Sequence, residues 1–344
     1  MTDNGQAAAI GIGVATLVVG TAAYVFAKRP ETPDNNNIRD LEGKTVCITG
    51  GNVGIGRATA EALSKRGASK ILIGCRNVAS ARDGICQDID RCDAFALDLS
   101  DPLSINSFAE SIANHTSRSG LHMLINNAGA MIAEHDKQTT DGWDRSIAVN
   151  HLGWVALTQK LLPLLEKTAE NATNNQTVRI INVGSKLERR AVLPQDKNSA
   201  PAWDEWMQSS PVPYKVFPAY AKAKFAMTSM TFLWAKQFEE QPDNRIKMIM
   251  VSPGVVHTSL SRFMPLWQRI LSWPIRRFVM RTPQKGAETV IYAATSPDAV
   301  SGAYYSDCAD IRNKELCSEA SMSPEIGQQI WEATMRALDK RKQD

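Results

Sequence analysis

The chain has few of the residues that build metal centres and disulfide frameworks. Its 344 residues include six cysteines and five histidines, with no Cys-x-x-Cys pair and no histidine at metal-ligand spacing. Several cysteines fall in apolar runs, so we expect free thiols in a reducing compartment and no metal site. No repeat or low-complexity tract interrupts the sequence, which favours one domain with appendages. The net charge of +3 comes without a basic stripe that carries interleaved aromatics, so nucleic acid is not an expected partner.

Charge is also missing from residues 5–27, an apolar run that ends at Lys28 and Arg29. A helix of that length spans a bilayer at about 1.5 Å per residue. No basic region precedes the run and no arginine lies within it, which disfavours a cleavable signal peptide and a transit peptide. The positive flank follows the run, so the positive-inside rule places the rest of the chain in the cytoplasm. The sequence predicts a single-pass membrane anchor at 1–28 and a linker at 29–41, with an Ala/Gly-rich disordered leader as the alternative.

A glycine-rich turn follows the first apolar strand pattern of the chain. Residues 44–49 form a short β-branched, apolar run, and residues 58–66 have the small and apolar positions of a helix. A turn of this kind can hold a pyrophosphate on backbone N–H groups at the start of the helix. The alternative is a plain strand–turn–helix corner. We predict dinucleotide contacts from the residues of this turn: Gly50, Asn52, Val53, Gly54, Ile55 and Gly56.

The end of the second predicted strand, residues 70–75, lacks the acid that an NAD site usually places there. Such an acid lies about 20 residues past the glycines and binds the ribose 2′-hydroxyl, but Arg76 occupies this position. A guanidinium pairs with a 2′-phosphate in bidentate geometry, whereas a carboxylate would repel it. The sequence therefore favours NADP(H) over NAD(H). A solvated arginine at a strand end is the alternative.

Tyr220 and Lys224 stand four residues apart in a predicted helix, so their side chains share one face. A free phenol has a pKa of about 10, and a nearby cation favours the phenolate. This spacing occurs by chance in many helices, and glycine-rich turns are common. Together with the glycine turn, however, the pair predicts a nicotinamide-dependent redox site in which Tyr220 moves the proton.

Further motifs follow the glycine turn in a fixed order, the last of them beyond Lys224. They are Asp98-Leu99, Asn126-Asn127-Ala128-Gly129, Asn150, Ser185 and Pro253-Gly254. With them the chain resembles the short-chain dehydrogenase/reductase family over residues 42–310. Residues 294–308 and Ile330-Trp331-Glu332 are similar to the retinol dehydrogenase branch in particular. The resemblance implies a doubly wound α/β Rossmann fold, with a parallel sheet of about seven strands flanked by helices, in a catalytic domain at 42–344.

The resemblance also implies roles for individual residues. Tyr220 would be the general acid/base, and Lys224 would hold the nicotinamide ribose. Ser185 would hydrogen-bond the substrate oxygen, and Asn150 would anchor a water that relays protons to Lys224. Taken singly, Ser185 and Asn150 would be ordinary polar residues. Asn126 would brace the sheet, and the cofactor contacts besides the turn and Arg76 would come from Asp98, Leu99, Asn127, Ala128, Gly129, Tyr220, Lys224, Pro253, Gly254, Val256 and Thr258.

Two segments depart from a compact version of this pattern. Residues 186–219 form a connection that is longer than usual in the family, and long connections in compact domains tend to be functional or disordered. We predict that they form a substrate lid or pocket wall. Residues 259–281 carry five arginines, two tryptophans and no acid. They either lie at the membrane headgroup level or pack on their own domain as a lid. A C-terminal helix is predicted at 324–342.

The expected function is an NADP(H)-dependent oxidoreductase that interconverts a lipophilic alcohol and its aldehyde or ketone, with a retinoid as the first candidate. A steroid, a fatty aldehyde or a tetrapyrrole is the alternative substrate. A non-catalytic NADP-binding scaffold is a further alternative, but it has no chemical need for the four catalytic candidates. The abundance of NADPH in cytosol favours reduction. The membrane would be the endoplasmic reticulum or another intracellular membrane, and the resemblance leaves a homodimer and an anchored monomer both open.

Overall fold

A computed structural model describes five stretches of the chain: residues 40–172, 177–242, 244–256, 280–312 and 317–343. The predicted anchor, most of the predicted linker, Thr258 and residues 259–279 of the second predicted lid lie outside these stretches. Within them, no helix is both long enough and apolar enough to span a bilayer. The predictions for the anchor and for the headgroup-level segment therefore concern residues that the structure does not describe.

Eight strands form one sheet. In chain order they are β1 (Thr45–Thr49), β2 (Lys70–Cys75), β3 (Cys92–Ala96), β4 (Met123–Asn126), β5 (Val178–Val183), β6 (Ile246–Ser252), β7 (Tyr304–Ser306) and β8 (Ala309–Asp310). The order across the sheet is β3-β2-β1-β4-β5-β6-β7-β8. Pairing is parallel from β3 to β7. The strand order reverses between β1 and β4, and ligands of such sheets bind in the crevice at the carboxyl ends of these strands.

The eighth strand is an addition to the seven that the sequence predicted. It pairs antiparallel with β7 through a two-residue turn at Asp307 and Cys308. Both residues have positive φ, at 54° and 59°. A hairpin turn with two positive φ values usually carries Asn-Gly or Asp-Gly. The Asp-Cys pair lacks that signature, so no local pattern predicts a hairpin here.

Eleven helices are formed by the described residues. They are α1 (Gly54–Lys65), α2 (Val78–Arg82), α3 (Ile85–Asp88), α4 (Pro102–Thr116), α5 (Arg145–Ile147), α6 (Gly153–Glu170), α7 (Ala200–Gln208), α8 (Val216–Glu239), α9 (Pro283–Thr295), α10 (Glu319–Met322) and α11 (Pro324–Gln343). A π-helical turn (Ala148–Leu152) joins α5 to α6, and 3₁₀ turns occur at Glu134–Asp136 and Lys186–Arg190. The fold is thus an α/β Rossmann-like fold.

Two apolar cores lie on the two faces of the sheet. Leu124 and Ile180 belong to the core shared with α4, α6, α8 and α11. Their neighbours Ile125 and Ile181 belong to the core shared with α1 and α9. Successive side chains of a strand point to opposite faces, and a parallel sheet is covered on both. This arrangement explains why the central strands are continuous apolar runs.

The long connection between β5 and α8 is tied to the domain by side-chain hydrogen bonds. Within the connection, Trp206 Nε1 donates to the Val192 carbonyl at 2.8 Å. Tyr214 Oη donates to the Ile132 carbonyl, also at 2.8 Å, in the segment that follows β4. From the other side, Arg336 of α11 pairs with Asp204 of α7. Residues 186–219 thus form an ordered layer beside the carboxyl end of β5.

Candidate active site

The glycine turn lies at the carboxyl end of β1 and leads into α1. Gly50 and Gly54 have positive φ, at 65° and 59°, which glycine adopts without strain. A Cβ on Gly56 would lie 2.3 Å from the Gly50 carbonyl oxygen and 2.5 Å from Asn127 Nδ2. No side chain fits there, so backbone can approach backbone closely. Since the first N–H groups of a helix lack intrahelical partners, the turn suits the pyrophosphate of a dinucleotide.

The segment after β4 is locked to this turn. Asn127 Nδ2 donates to the Thr49 carbonyl at 2.9 Å, and the Ala128 N–H donates to Thr49 Oγ1 at 3.0 Å. On its other side, a Cβ on Gly129 would lie 3.0 Å from Asn150 Oδ1 and 3.5 Å from Lys224 Nζ. The three predicted contacts after β4 therefore connect the glycine turn with two of the predicted catalytic residues.

A buried amide chain braces the neighbouring strands. Asn126 Nδ2 donates to Asn182 Oδ1 at 2.9 Å, from β4 to β5. Asn182 Nδ2 then donates to Thr231 Oγ1 of α8, also at 2.9 Å. The bracing role expected for Asn126 thus extends to α8 through Asn182 and Thr231, which the sequence did not single out.

The residues predicted to contact the adenosine part of the cofactor follow β2 and β3, at one edge of the sheet. Arg76 directly follows β2 and is exposed. Asp98 follows β3, and its Oδ1 accepts from the backbone N–H and the hydroxyl of Ser100, at 2.8 and 2.7 Å. Asp101 caps α4 by accepting from Leu103 N at 2.9 Å, so the helix start does not need Asp98. Leu99 is buried.

Asn150 lies in the π-helical turn, and both atoms of its side-chain amide are hydrogen-bonded to protein. Its Nδ2 donates to the carbonyls of Ala130 and Ser146, at 2.8 and 2.9 Å, and its Oδ1 accepts from Ala130 N at 2.9 Å. Both Nδ2 hydrogens are used by the protein, so a water at this amide could only donate to Oδ1. The side chain fixes the segment that follows Gly129. The π turn has no sequence signal, although such turns are frequent at functional sites.

Ser185 stands two residues past the end of β5 and caps the 3₁₀ turn at Lys186–Arg190. Its Oγ accepts from Leu187 N at 3.3 Å. Because the oxygen already receives an N–H, the hydroxyl proton can be donated to another acceptor. Ser185 is half-buried. This geometry suits a hydroxyl that donates to a substrate oxygen.

Tyr220 and Lys224 share one face of α8, as predicted. Lys224 Nζ lies 5.6 Å from the centre of the Tyr220 ring. The two residues are only 6% and 2% exposed. Lys224 Nζ also donates to the Val183 carbonyl at 2.8 Å. Since Val183 is the last residue of β5, this bond holds the face of α8 against the strand end that carries Ser185.

The electrostatics of this pair differ from the expectation that a cation lowers the pKa of Tyr220. Burial raises the pKa of Tyr220 instead. Burial also lowers the pKa of Lys224 to about 7. Removal from water disfavours the charged form of both groups, and Lys224 is too desolvated to act as a strong cation. At neutral pH the phenol therefore keeps its proton, which is the state required of a proton donor.

The segment after β6 lies close to α9 and to the start of α1. A Cβ on Gly286 would lie 2.6 Å from Val256 Cγ2 and 3.3 Å from Ile55 Cγ1, so these two side chains meet over the start of α1. Gly254 has a φ of 77°, and the Arg281 guanidinium lies against its Cα. Arg281 in turn pairs with Asp307 of the β7–β8 turn. Arg281 was not predicted as a site residue, and only its place in an arginine-rich segment marked it.

Fold and geometry define a dinucleotide-binding oxidoreductase, and comparison with known proteins narrows this class. The family model described as short chain dehydrogenase matches residues 44–195. Retinol dehydrogenase 14 of Mus musculus is 33% identical over 340 residues, which cover 91% of this chain and 93% of that protein. Retinol dehydrogenase 12 of Homo sapiens is 32% identical, and the match covers 88% of this chain and 88% of that protein.

Structural similarity supports the fold independently. The Pseudomonas aeruginosa RhlG/NADP active-site complex matches with a TM-score of 0.58 at 24% identity, over 77% of this chain and 94% of that one. The chain belongs to the short-chain dehydrogenase/reductase family, in its retinol dehydrogenase-like branch. It is therefore an oxidoreductase that acts on CH–OH or carbonyl groups with a nicotinamide cofactor.

Proposed function

We propose that this chain is an NADP(H)-dependent reductase of a lipophilic aldehyde or ketone, with a retinoid as the first candidate. The observation that carries the proposal is the packing of the Tyr220–Lys224 face of α8 against the end of β5. Ser185 follows that strand end, and the glycine turn follows the end of β1, so both lie at the carboxyl edge of the sheet. These positions support a site at which a proton donor, a hydroxyl for the substrate oxygen and a cofactor cradle would come together.

Four residues would perform the chemistry. The nicotinamide, when bound, supplies or receives the hydride. Ser185 would orient the carbonyl by donating its hydroxyl proton to the substrate oxygen. Tyr220 would give its proton to that oxygen as negative charge develops on it. Lys224 would hold the nicotinamide ribose, and Asn150 would keep the segment after Gly129 in place.

The cofactor would lie along the carboxyl edge of the sheet. Its pyrophosphate would rest on the turn from Gly50 to Gly56, including Asn52, Val53 and Ile55. The segments after β3, β4 and β6 would contact the rest of it through Asp98, Leu99, Asn127, Ala128, Gly129, Pro253, Gly254 and Val256. Thr258 remains a predicted phosphate contact outside the described residues.

NADP(H) selectivity would rest on Arg76. Arg76→Gln should raise the KM for NADPH by about 10- to 100-fold, because hydrogen bonds to a charged group contribute about 1.5–3 kcal/mol. The KM for NADH should stay within about twofold, since NADH has no 2′-phosphate. Arg82→Gln is the matched control, because Arg82 is also an exposed arginine and lies nearby, at the end of α2. Equal effects of Arg76→Gln on both cofactors would show that Arg76 does not read the 2′-phosphate.

The two directions of the reaction should differ in their pH dependence. Between about pH 5 and 6, Lys224 is protonated and burial keeps the proton on Tyr220. Reduction uses the protonated phenol and should change little over this range. Oxidation uses the phenolate, whose fraction rises about tenfold per pH unit below the pKa, so oxidation should rise with pH. The measurement is kcat/KM in both directions at saturating cofactor. Reduction that falls tenfold per unit, with flat oxidation, would place the pKa of Tyr220 below this range.

The lipophilic character of the substrate is proposed from three features. The relatives named above are retinol dehydrogenases. Trp203, Trp206 and Tyr214 belong to residues 186–219, the connection that directly follows Ser185, and we propose that this connection walls the pocket. We also propose that residues 5–27 anchor the chain in an intracellular membrane, with the catalytic domain in the cytoplasm, where a lipid-soluble substrate is concentrated.

A carbonyl panel tests the function. The purified full chain is assayed for oxidation of NADPH, and of NADH in parallel, against all-trans-retinal, steroid ketones and aliphatic aldehydes. Turnover of retinal with NADPH is the expected result. Preference for a steroid or a fatty aldehyde would keep the mechanism and replace the substrate. NADPH binding with no turnover across the panel would favour the scaffold alternative.

A further inference from the structure

A buried carboxyl lies three residues after Ser185. Glu188 has no exposed surface, and it belongs to the 3₁₀ turn that Ser185 caps. The Glu188 N–H donates to the Ser185 carbonyl at 3.0 Å. A buried carboxyl is costly unless hydrogen bonds or charges compensate it, so its place in the core is informative.

The Glu188 side chain reaches the C-terminal part of the chain. Its Oε1 accepts from the Ser318 N–H at 2.8 Å, across 130 positions of sequence. Burial raises the pKa of Glu188 to about 7, although bonds from Ser318, Ser321 and Cys317 oppose the rise. The segment Cys317–Met322 thus holds the carboxyl through the Ser318 N–H. Because α10, within this segment, packs on α8, the segment also supports the helix that carries Tyr220.

A second buried group, on the sheet, interacts electrostatically with this carboxyl. Glu188 Oε2 and Tyr304 Oη of β7 are both buried and have no hydrogen-bond partner among the described residues. The pKa of Tyr304 is raised by burial and, to a smaller extent, by Glu188, and Tyr220 acts in the same direction. The Tyr304 phenol is therefore within electrostatic reach of the carboxyl and of the predicted acid.

We propose that Glu188 is a positioning residue that ties the turn orienting Ser185 to the segment Cys317–Met322. The connection has three links: Ser318 N–H to the Glu188 carboxyl, Glu188 N–H to the Ser185 carbonyl, and Leu187 N–H to Ser185 Oγ. Through it the C-terminal segment sets the direction in which Ser185 presents its hydroxyl. This inference rests on the proposed role of Ser185, and part of its test is independent of turnover.

Glu188→Ala should lower kcat with NADPH and all-trans-retinal, or the fastest carbonyl of the panel, by about 10- to 100-fold. The KM for NADPH should stay within about twofold, because the cofactor cradle lies elsewhere. Glu188→Gln should keep kcat within about threefold, since its amide oxygen still accepts from Ser318 N–H and its amide nitrogen replaces Oε2, which has no hydrogen-bond partner among the described residues. Glu319→Gln, at an exposed carboxyl next to Ser318, is the matched control and should behave as wild type.

Ser318→Pro removes the donor and leaves Glu188 in place. Ser318 has a φ of −73°, which proline adopts readily. This variant should lower kcat as Glu188→Ala does. The double variant Glu188→Ala/Ser318→Pro should lose little more than either single variant, because both break the same connection. If Glu188→Ala does not fold, Ser318→Pro alone carries the kinetic test.

Hydrogen exchange of the full chain provides the readout that does not need turnover. In Glu188→Ala or Ser318→Pro, the Leu187 amide should exchange faster, by about tenfold or more, while the midpoint of β5 keeps its protection. Unchanged exchange at Leu187 together with unchanged kcat would overturn the proposal, as would additive losses in the double variant. If wild type reduces no carbonyl, the proposed function fails. The exchange rate of the Leu187 amide then tests by itself whether Glu188 holds the turn at Ser185.

Discussion

Tyr220→Phe should lower kcat for carbonyl reduction by at least about 10³-fold. Reduction leaves negative charge on the substrate oxygen, and general acid catalysis by a placed side chain contributes about 10²–10⁴-fold. Phenylalanine keeps the ring in the buried face of α8 but has no proton to give. The loss should appear in kcat, because Ser185 and the cofactor cradle remain.

Binding and stability separate this loss from damage to the fold. The variant should bind NADPH within about threefold of wild type, measured by the fluorescence of the bound nicotinamide. Its midpoint of thermal unfolding should not fall, since a buried hydroxyl is exchanged for hydrogen. Tyr292→Phe, in α9 on the opposite face of the sheet, is the matched control and should retain full turnover. Turnover of Tyr220→Phe within tenfold of wild type would rule out Tyr220 as the acid.

Lys224→Met should lower kcat by about 10²-fold or more and, at the same time, stabilise the fold. Lys224 is nearly fully buried and no carboxylate pairs with it among the described ion pairs. Replacing a buried charged group with an apolar one of similar size is often stabilising by about 1–4 kcal/mol. A residue kept for catalysis at the expense of stability should show these two opposite effects.

The stabilisation should depend on pH in a defined direction. Burial lowers the pKa of Lys224 to about 7 from the ordinary value of a lysine. The cost of burying it is therefore complete at or below pH 7 and shrinks as the pH rises towards the unfolded pKa. The difference in free energy of unfolding between Lys224→Met and wild type should follow that course in urea titrations. Lys236→Met, at an exposed lysine of the same helix, should change neither turnover nor this pH dependence. A destabilised Lys224→Met would make Lys224 a structural residue.

The sequence predicted the parts of the fold that depend on local patterns. Buried parallel strands are apolar runs such as residues 70–75, and the steric contacts at Gly56, in the first turn of α1, require glycine there. The Tyr220–Lys224 pair follows from helical periodicity. The resemblance to the family supplied the positions of Ser185 and Asn150, which their own surroundings in the sequence do not mark.

The parts that the sequence did not predict depend on distant contacts. Burial of Tyr220 and Lys224 together reverses the direction expected for the pKa of Tyr220, and burial arises from the whole domain. Asn150 uses its amide on Ala130, a contact that the π turn creates. Glu188 meets Ser318 across most of the second half of the chain. No local periodicity encodes such pairings.

The central claim is that Tyr220 protonates a carbonyl oxygen while the carbonyl carbon receives hydride at the site beside Ser185. The most direct test follows a single turnover of NADPH that carries deuterium in the transferred position at C4, with all-trans-retinal or the fastest carbonyl of the panel. Wild type should yield an alcohol with deuterium on the former carbonyl carbon, and Tyr220→Phe should yield almost none while it still binds NADPH. Transfer by Tyr220→Phe at the wild-type rate, or no transfer from wild type with NADPH bound, would contradict the claim.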